Sequence, residues 1–269
     1  MYESFFGLTE LPFNVTPDPR FVYFSQQHRE ALSALMYGVE SRRGFIQITG
    51  EIGTGKTTLC RALLQRMSDR VHSALVFNPK LSEFELLQTI VEDFGIKPPG
   101  RKRKDYFDAL NRFLLEELDK RYNAIVIIDE AQLLSPRALE QVRLLSNLET
   151  STQKLLQIIL VGQPELKELL NRKDLVQLYQ RITIRYHLTV LTREETEEYV
   201  RHRLQVAGAE GEFFTTDAYE RIFEVTAGVP RLVNVLADRA LMAAFTQSCR
   251  LINGSLVDYA QSDLQGVRV

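Results

Sequence analysis

Two rhythms of apolar positions alternate along the chain. Short runs that are apolar at nearly every position read as strands: FIQIT (45–49), ALVFN (74–78), AIVIID (124–129) and LLQIILVG (155–162). The last two read as buried on both faces. RITIRYHLT (181–189) alternates apolar and polar residues, like a shorter strand. Between these runs the apolar positions recur at helical spacing. Such segments are 28–43, where Ala31, Leu32, Leu35 and Val39 share a face, then the stretch through Leu63 and Met67, then 82–95, 106–121 and 136–149. Ser82 reads as an N-cap, Gly95 as a stop and Pro136 as a first-turn residue. This order predicts an α/β fold: a parallel sheet with helices on both faces. After Leu191 only helical patterns remain, at 192–206, 216–226, 231–247 and 255–263. We therefore expect a core over 1–190 and a small all-helical domain over 191–269. Residues 1–27 fit neither rhythm. Pro12, Pro17 and Pro19 forbid a regular helix there. The segment reads as an extended arm, counted with the core, that packs Phe5, Phe6, Phe13, Phe21 and Tyr23 against the body.

Composition narrows the classes. With 269 residues, 45% of them hydrophobic, the chain is long enough for a substantial core. A formal net charge of −2 gives no global reason to expect nucleic acid or anionic lipid as a partner. Two cysteines, Cys60 and Cys249, are too few for a disulfide framework, so a reduced, cytoplasmic setting is the default expectation. The segment MYESFFGLTELPF lacks the basic and apolar regions of a secretory signal, and no window suits a membrane helix. The sequence reads as soluble, without direct membrane insertion, and leaves open a natural continuation past Val269. The histidines at 28, 72, 187 and 202 show no metal-ligand spacing with the cysteines. RKRK (101–104), in the loop KPPGRKRK, is a short basic run of the kind usually found solvated; its other reading is a contact for nucleic acid or another anionic partner.

The chemistry sits at strand ends. GEIGTGKTT (50–58) fits the phosphate-loop pattern between a strand and a helix. Gly50, Gly53 and Gly55 allow backbone angles that let N–H groups converge on phosphate, with Glu51, Ile52 and Thr54 between them. Lys56 would reach the β- and γ-phosphates. Thr57 would offer its hydroxyl to Mg2+, with Thr58 beside it. AIVIID ends in Asp129 and Glu130. The first suits Mg2+ through its water shell, and the second suits polarising an attacking water. Having both acids favours hydrolysis over binding alone. Gln163, after LVG, is placed to reach the γ-phosphate or the water. Arg181, with Arg185 as second choice, would stabilise phosphoryl charge, often on a neighbouring subunit's nucleotide. Arg231, in AGVPRLVN, would reach over the phosphates when the small domain closes.

Taken together, the arm FFGLTELPFNVTPDPRFVYFSQQHREALSALMYGV, GEIGTGKTT, IVIIDEAQLL, LVGQPEL, QRITIRYHL and AGVPRLVN resemble the ExeA/GspA-type AAA+ ATPases, the module linked to type II secretion and type IV pilus-like assembly. The resemblance spans nearly the whole chain. It implies an AAA+ P-loop core with a helical lid, a Walker A motif at 50–57 and a Walker B motif at Asp129 and Glu130. It also implies sensor roles for Gln163 and Arg231, an arginine finger at Arg181, and an adenine near Tyr23 and His28. Larger members carry a membrane segment and a peptidoglycan-binding part that this chain does not show. The resulting expectation is Mg2+-dependent ATP hydrolysis, in a ring or filament of copies. That hydrolysis would drive or regulate assembly of a secretion or pilus-like complex at the inner face of the cytoplasmic membrane. Transposition ATPases have a similar core, so an ATP-dependent DNA-binding regulator is the alternative. A nucleotide switch without turnover is a third reading. No motif that reads the base distinguishes ATP from GTP.

Overall fold

The computed structural model describes residues 1–14, 18–77 and 79–264. Pro17 and Asn78, which the sequence reading used for the arm and the second strand, lie outside these residues. Among the described residues, five strands form one sheet: β1 (Phe45–Gly50), β2 (Val71–Val76), β3 (Asn123–Ile128), β4 (Leu156–Gly162) and β5 (Ile182–Leu188). Their spatial order is β2-β3-β4-β1-β5, with every neighbouring pair parallel. The three central strands β1, β3 and β4 are buried at every position. β5 alternates buried ends with exposed residues, as an edge strand does.

The chain divides into two compact units. One comprises residues 27–52 and 56–188 and holds the whole sheet. One face of that sheet, including Phe45, Val126, Ile128, Ile158 and Leu160, shares a core with the helices Glu83–Asp93, Arg103–Asp119, Pro136–Leu145 and Glu165–Leu170. The helix Gln26–Glu40 lies against the opposite face. It comes so close at Gly38 that an added Cβ would meet the side chains of Ile46 and Ile184 at 2.5 and 2.7 Å. The helix Lys56–Arg66 packs on β1 and β4. Ser82 caps its helix in a reciprocal box with Glu85, which explains why that boundary is sharp.

The second unit comprises residues 1–26, 53–55 and 189–269. Its described helices Arg193–Val206, Thr216–Thr226, Pro230–Thr246 and Gly254–Leu264 enclose a separate core with Tyr2, Phe6, Leu8, Phe13 and Phe21 of the arm. The arm groups with these helices, whereas the sequence reading counted it with the sheet. The physical reason is a set of specific anchors. The buried Arg203 guanidinium donates to the carbonyl oxygens of Pro12 (2.6 Å) and Asn14 (3.1 Å) and to Tyr199 Oη (2.9 Å). Its carbon lies 5.1 Å from the Phe21 ring centroid. Tyr2 donates to Asp238 at 2.5 Å, and Thr9 donates through both N–H and hydroxyl to Ala207 O. Each fully buried aromatic contributes about 1.5–3 kcal/mol. Among the described residues, no helix is long and apolar enough to cross a membrane.

Candidate functional site

Strand order decides where the motifs meet. β1 connects to β2 at one edge of the sheet, and its neighbour β4 connects to β5 at the other. Adjacent strands whose connections leave in opposite directions open a crevice at their carboxyl ends. Gly50 ends β1, Gly162 ends β4, and Asp129 follows β3 directly. Three stretches far apart in sequence therefore share one end of the sheet.

The phosphate-loop pattern has the backbone it needs. Gly53 and Gly55 have φ of +83° and +95°, a region where a Cβ is strained. Lys56 opens the next helix, so the helix N-terminus faces the loop. Its ammonium is buried and donates to the carbonyl oxygens of Gly50 (2.7 Å) and Glu51 (2.8 Å). Burial pulls the Lys56 pKa below its usual value, while the carboxylates of Glu130, Asp129, Glu51 and Glu165 oppose that shift. The Thr57 hydroxyl donates to Asp129 Oδ2 at 2.6 Å. Thr58 follows on the same helix. Thr54 is buried and Ile52 is exposed.

Glu130 occupies an unusual backbone position. Its φ is +53°, in the left-handed region that non-glycine residues seldom adopt. The turn is supported by its own N–H, which donates to Asp129 Oδ1 at 2.9 Å. The turn also sends the Glu130 side chain toward the end of β4. There Gln163 Nε2 donates to Glu130 Oε2 at 3.1 Å. Gln132 Nε2 donates to the same oxygen at 2.5 Å, and Gln132 Oε1 accepts the Gln163 backbone N–H at 3.1 Å.

The structure thus brings together Lys56, Thr57, Asp129, Glu130 and Gln163. It does not bring Arg181 to them. Arg181 precedes β5, and Ile182 pairs with Phe45 at the start of β1, whereas Leu188 pairs with Gly50 at its end. At about 3.3 Å per residue, the strand separates the two ends by roughly 20 Å. The Arg181 guanidinium instead donates to Ser146 Oγ and Asn147 Oδ1, both at 2.6 Å. Arg185 stacks over the Tyr179 ring at 4.0 Å and donates to the Tyr179 carbonyl. In the second unit, Arg231 lies on the first turn of its helix, and an added Cβ on Gly53 would meet Arg231 Cβ at 2.8 Å. Tyr23 donates to Glu198 in that unit, and His28 is buried on its helix in the sheet unit. Sequence reasoning missed Gln132. Its signal was the amide two residues beyond the acidic pair, in DEAQ.

Two donors of the kind Mg2+ prefers, a hydroxyl and a carboxylate oxygen, already touch at Thr57 and Asp129. Among the described residues no group of three or more His, Cys, Asp and Glu side chains could hold a metal by itself. A cleft beside the pair is lined by Cys60, Arg61, Leu75 and Phe77.

A family model described as an AAA domain matches residues 39–170. General secretion pathway protein A of Aeromonas hydrophila is 44% identical over 271 aligned residues, which cover all of this chain and 49% of that protein. The chain thus spans about half the length of this curated relative. The ORC2 protein of Aeropyrum pernix, solved as ADPNP–ADP complexes, matches with a TM-score of 0.69 at 19% identity. The match covers 96% of this chain and 72% of that one. Cdc6p of Pyrobaculum aerophilum matches with a TM-score of 0.71 at 18% identity, covering 94% and 70%. These two likenesses show a shared fold, and with the matched AAA domain it is a P-loop fold of the AAA type. With an AAA domain at its centre and identity running along its whole length, the chain belongs to the AAA family of general secretion pathway protein A.

Proposed function

We propose that the chain binds ATP with Mg2+ and hydrolyses it to ADP and phosphate. The observation that carries this reading is the convergence of Lys56, Thr57, Asp129, Glu130 and Gln163 at one end of the sheet. Lys56 would leave the Gly50 and Glu51 carbonyls for the phosphate oxygens. Thr57 and Asp129 would hold the metal, which when bound offsets charge on the β- and γ-phosphates. Glu130 would accept a proton from water as the water oxygen bonds to the γ-phosphorus and the bond to the bridging oxygen breaks. Gln163 would turn its amide toward the γ-phosphate or the water, and Arg231, which lies beside Gly53 of the loop, would sense the γ-phosphate. The ADPNP and ADP complexes of the Aeropyrum pernix protein support nucleotide binding on this fold.

Arg181, a strand's length from its own loop, would act on the nucleotide of another copy. That requires a head-to-tail contact, hence a ring or filament. Its work would be to drive or regulate assembly of a secretion or pilus-like complex at the inner face of the cytoplasmic membrane; the name of the Aeromonas relative supports the link to secretion.

Phosphate release at saturating ATP and Mg2+ tests the chemistry. Lys56→Ala should lose ATP binding. Glu130→Gln should bind ATP yet turn over at least roughly 100-fold more slowly, the scale of a lost general base. Equal turnover in all three proteins refutes the reading. Turnover per chain should rise with protein concentration, and Arg181→Ala should abolish that rise. Deleting the gene should depress secreted or pilus-borne protein. Tight, salt-sensitive DNA binding that Lys102→Glu with Lys104→Glu abolishes would instead favour the DNA-binding regulator.

A further inference from the structure

We infer that Gln132 is a positioning residue for the water-activating carboxylate. The inference rests on the ATPase reading above and adds a residue to it. Three hydrogen bonds close a ring. Gln132 Nε2 donates to Glu130 Oε2, Gln163 Nε2 donates to that same oxygen, and Gln132 Oε1 accepts the Gln163 N–H. The orientation of the Gln132 amide follows from its neighbours. Turned over, it would set its oxygen against a carboxylate and its NH2 against a backbone N–H, two repulsive contacts in place of two bonds.

The ring does two things. It fixes one oxygen of Glu130 and leaves the other without a hydrogen bond among the described residues. That second oxygen can therefore accept a proton from water. The ring also makes Gln163 redundant as an anchor. When its side-chain amide moves to a γ-phosphate, the shorter bond from Gln132 still holds Glu130 in place. Glu130 benefits from such a hold, because its left-handed backbone is strained and persists only where surrounding contacts over-determine it. The ring has a spatial requirement, too. Gln132 Oε1 occupies the space beside Gly162 where a side chain would begin, 2.6 Å from an ideal Cβ.

The test measures kcat, KM and ATP affinity for Gln132→Met, which keeps shape and loses both hydrogen-bonding atoms. Gln132→Asn, polar but shorter, serves as the second variant. Both should lower kcat about 10- to 100-fold, the cost of an ångström-scale misplacement of a reacting group. KM and ATP affinity should stay within about twofold of the parent, because Gln132 acts through Glu130 and not on the nucleotide. On a Glu130→Gln background, Gln132→Met should cost nothing further, since residues that act as a unit are not additive. Parent-like kcat in both variants, an equal loss of ATP affinity, or full multiplicative loss on the Glu130→Gln background overturns the inference. If Lys56→Ala and Glu130→Gln retain turnover, the ATPase reading falls and this one with it. If they lose it while both Gln132 variants match the parent, only the role of Gln132 falls.

Discussion

Replacing Gly162 with alanine separates a cost in activity from a cost in stability. The new Cβ would lie 2.6 Å from Gln132 Oε1, and 3.0 and 3.2 Å from Leu166 Cδ2 and Cβ. Ordinary contact begins at 3.4 Å, so the Gln132 amide must retreat by about 0.8 Å. A movement of that size takes the 3.1 Å bond from the Gln163 N–H out of range. The clashing atom is the far end of a flexible, half-buried side chain, and Leu166 must yield only a few tenths of an ångström. The destabilisation should therefore fall near the bottom of the overpacking range, about 1 kcal/mol. For a unit of this size that lowers Tm by roughly 2–4 °C. Turnover should fall much further, about 10- to 100-fold, with ATP affinity unchanged. Phosphate release, calorimetric ATP binding and a thermal melt read the three quantities on one preparation. Parent-like turnover with a Tm drop beyond about 10 °C would refute the reasoning. It would mean that the crowding falls on the Leu166 core and that the ring carries no activity.

Other outcomes follow from buried charges. Arg203→Met keeps the apolar stem but strips two carbonyls of a charged donor and should cost about 2–4 kcal/mol after relief of the buried charge. The arm should then become sensitive to protease, which gel analysis of the nicked products checks. The depressed Lys56 pKa gives a pH signature in nucleotide-free protein. Its contribution to stability is greatest above the unfolded value of 10.5 and is lost as pH falls toward the lower folded-state value. Urea midpoints should accordingly show the parent gaining on Lys56→Met as pH rises toward 10.5, and a constant gap would contradict the assignment.

Most of the sheet was legible because the buried central strands carry uninterrupted apolar runs. The second strand was placed at 74–78 and is found at Val71–Val76. At the sheet edge, His72 and Ser73 can be polar and still pair with β3, so the apolar run alone marked the wrong end. The short helices Glu165–Leu170 and Val176–Tyr179 are too brief to show a period. Residues of the site that touch phosphate or metal in the expected chemistry stood out, because their spacing is set by the ligand. Gln132 did not, because its partners are other side chains and only the fold puts them within reach. The companions of the arm were hidden for the same reason: Arg203 lies 191 residues from Pro12, its carbonyl acceptor.

That long separation has a consequence during synthesis. The aromatic arm leaves the ribosome well before the helices that cover it, which are encoded after residue 188. At about 5–20 residues per second, roughly 8–30 seconds pass before synthesis of those helices even begins. The sheet unit can fold in that interval. Tyr2, Phe6, Phe13 and Phe21 remain uncovered meanwhile, which makes the nascent arm a natural target for chaperones that bind apolar segments.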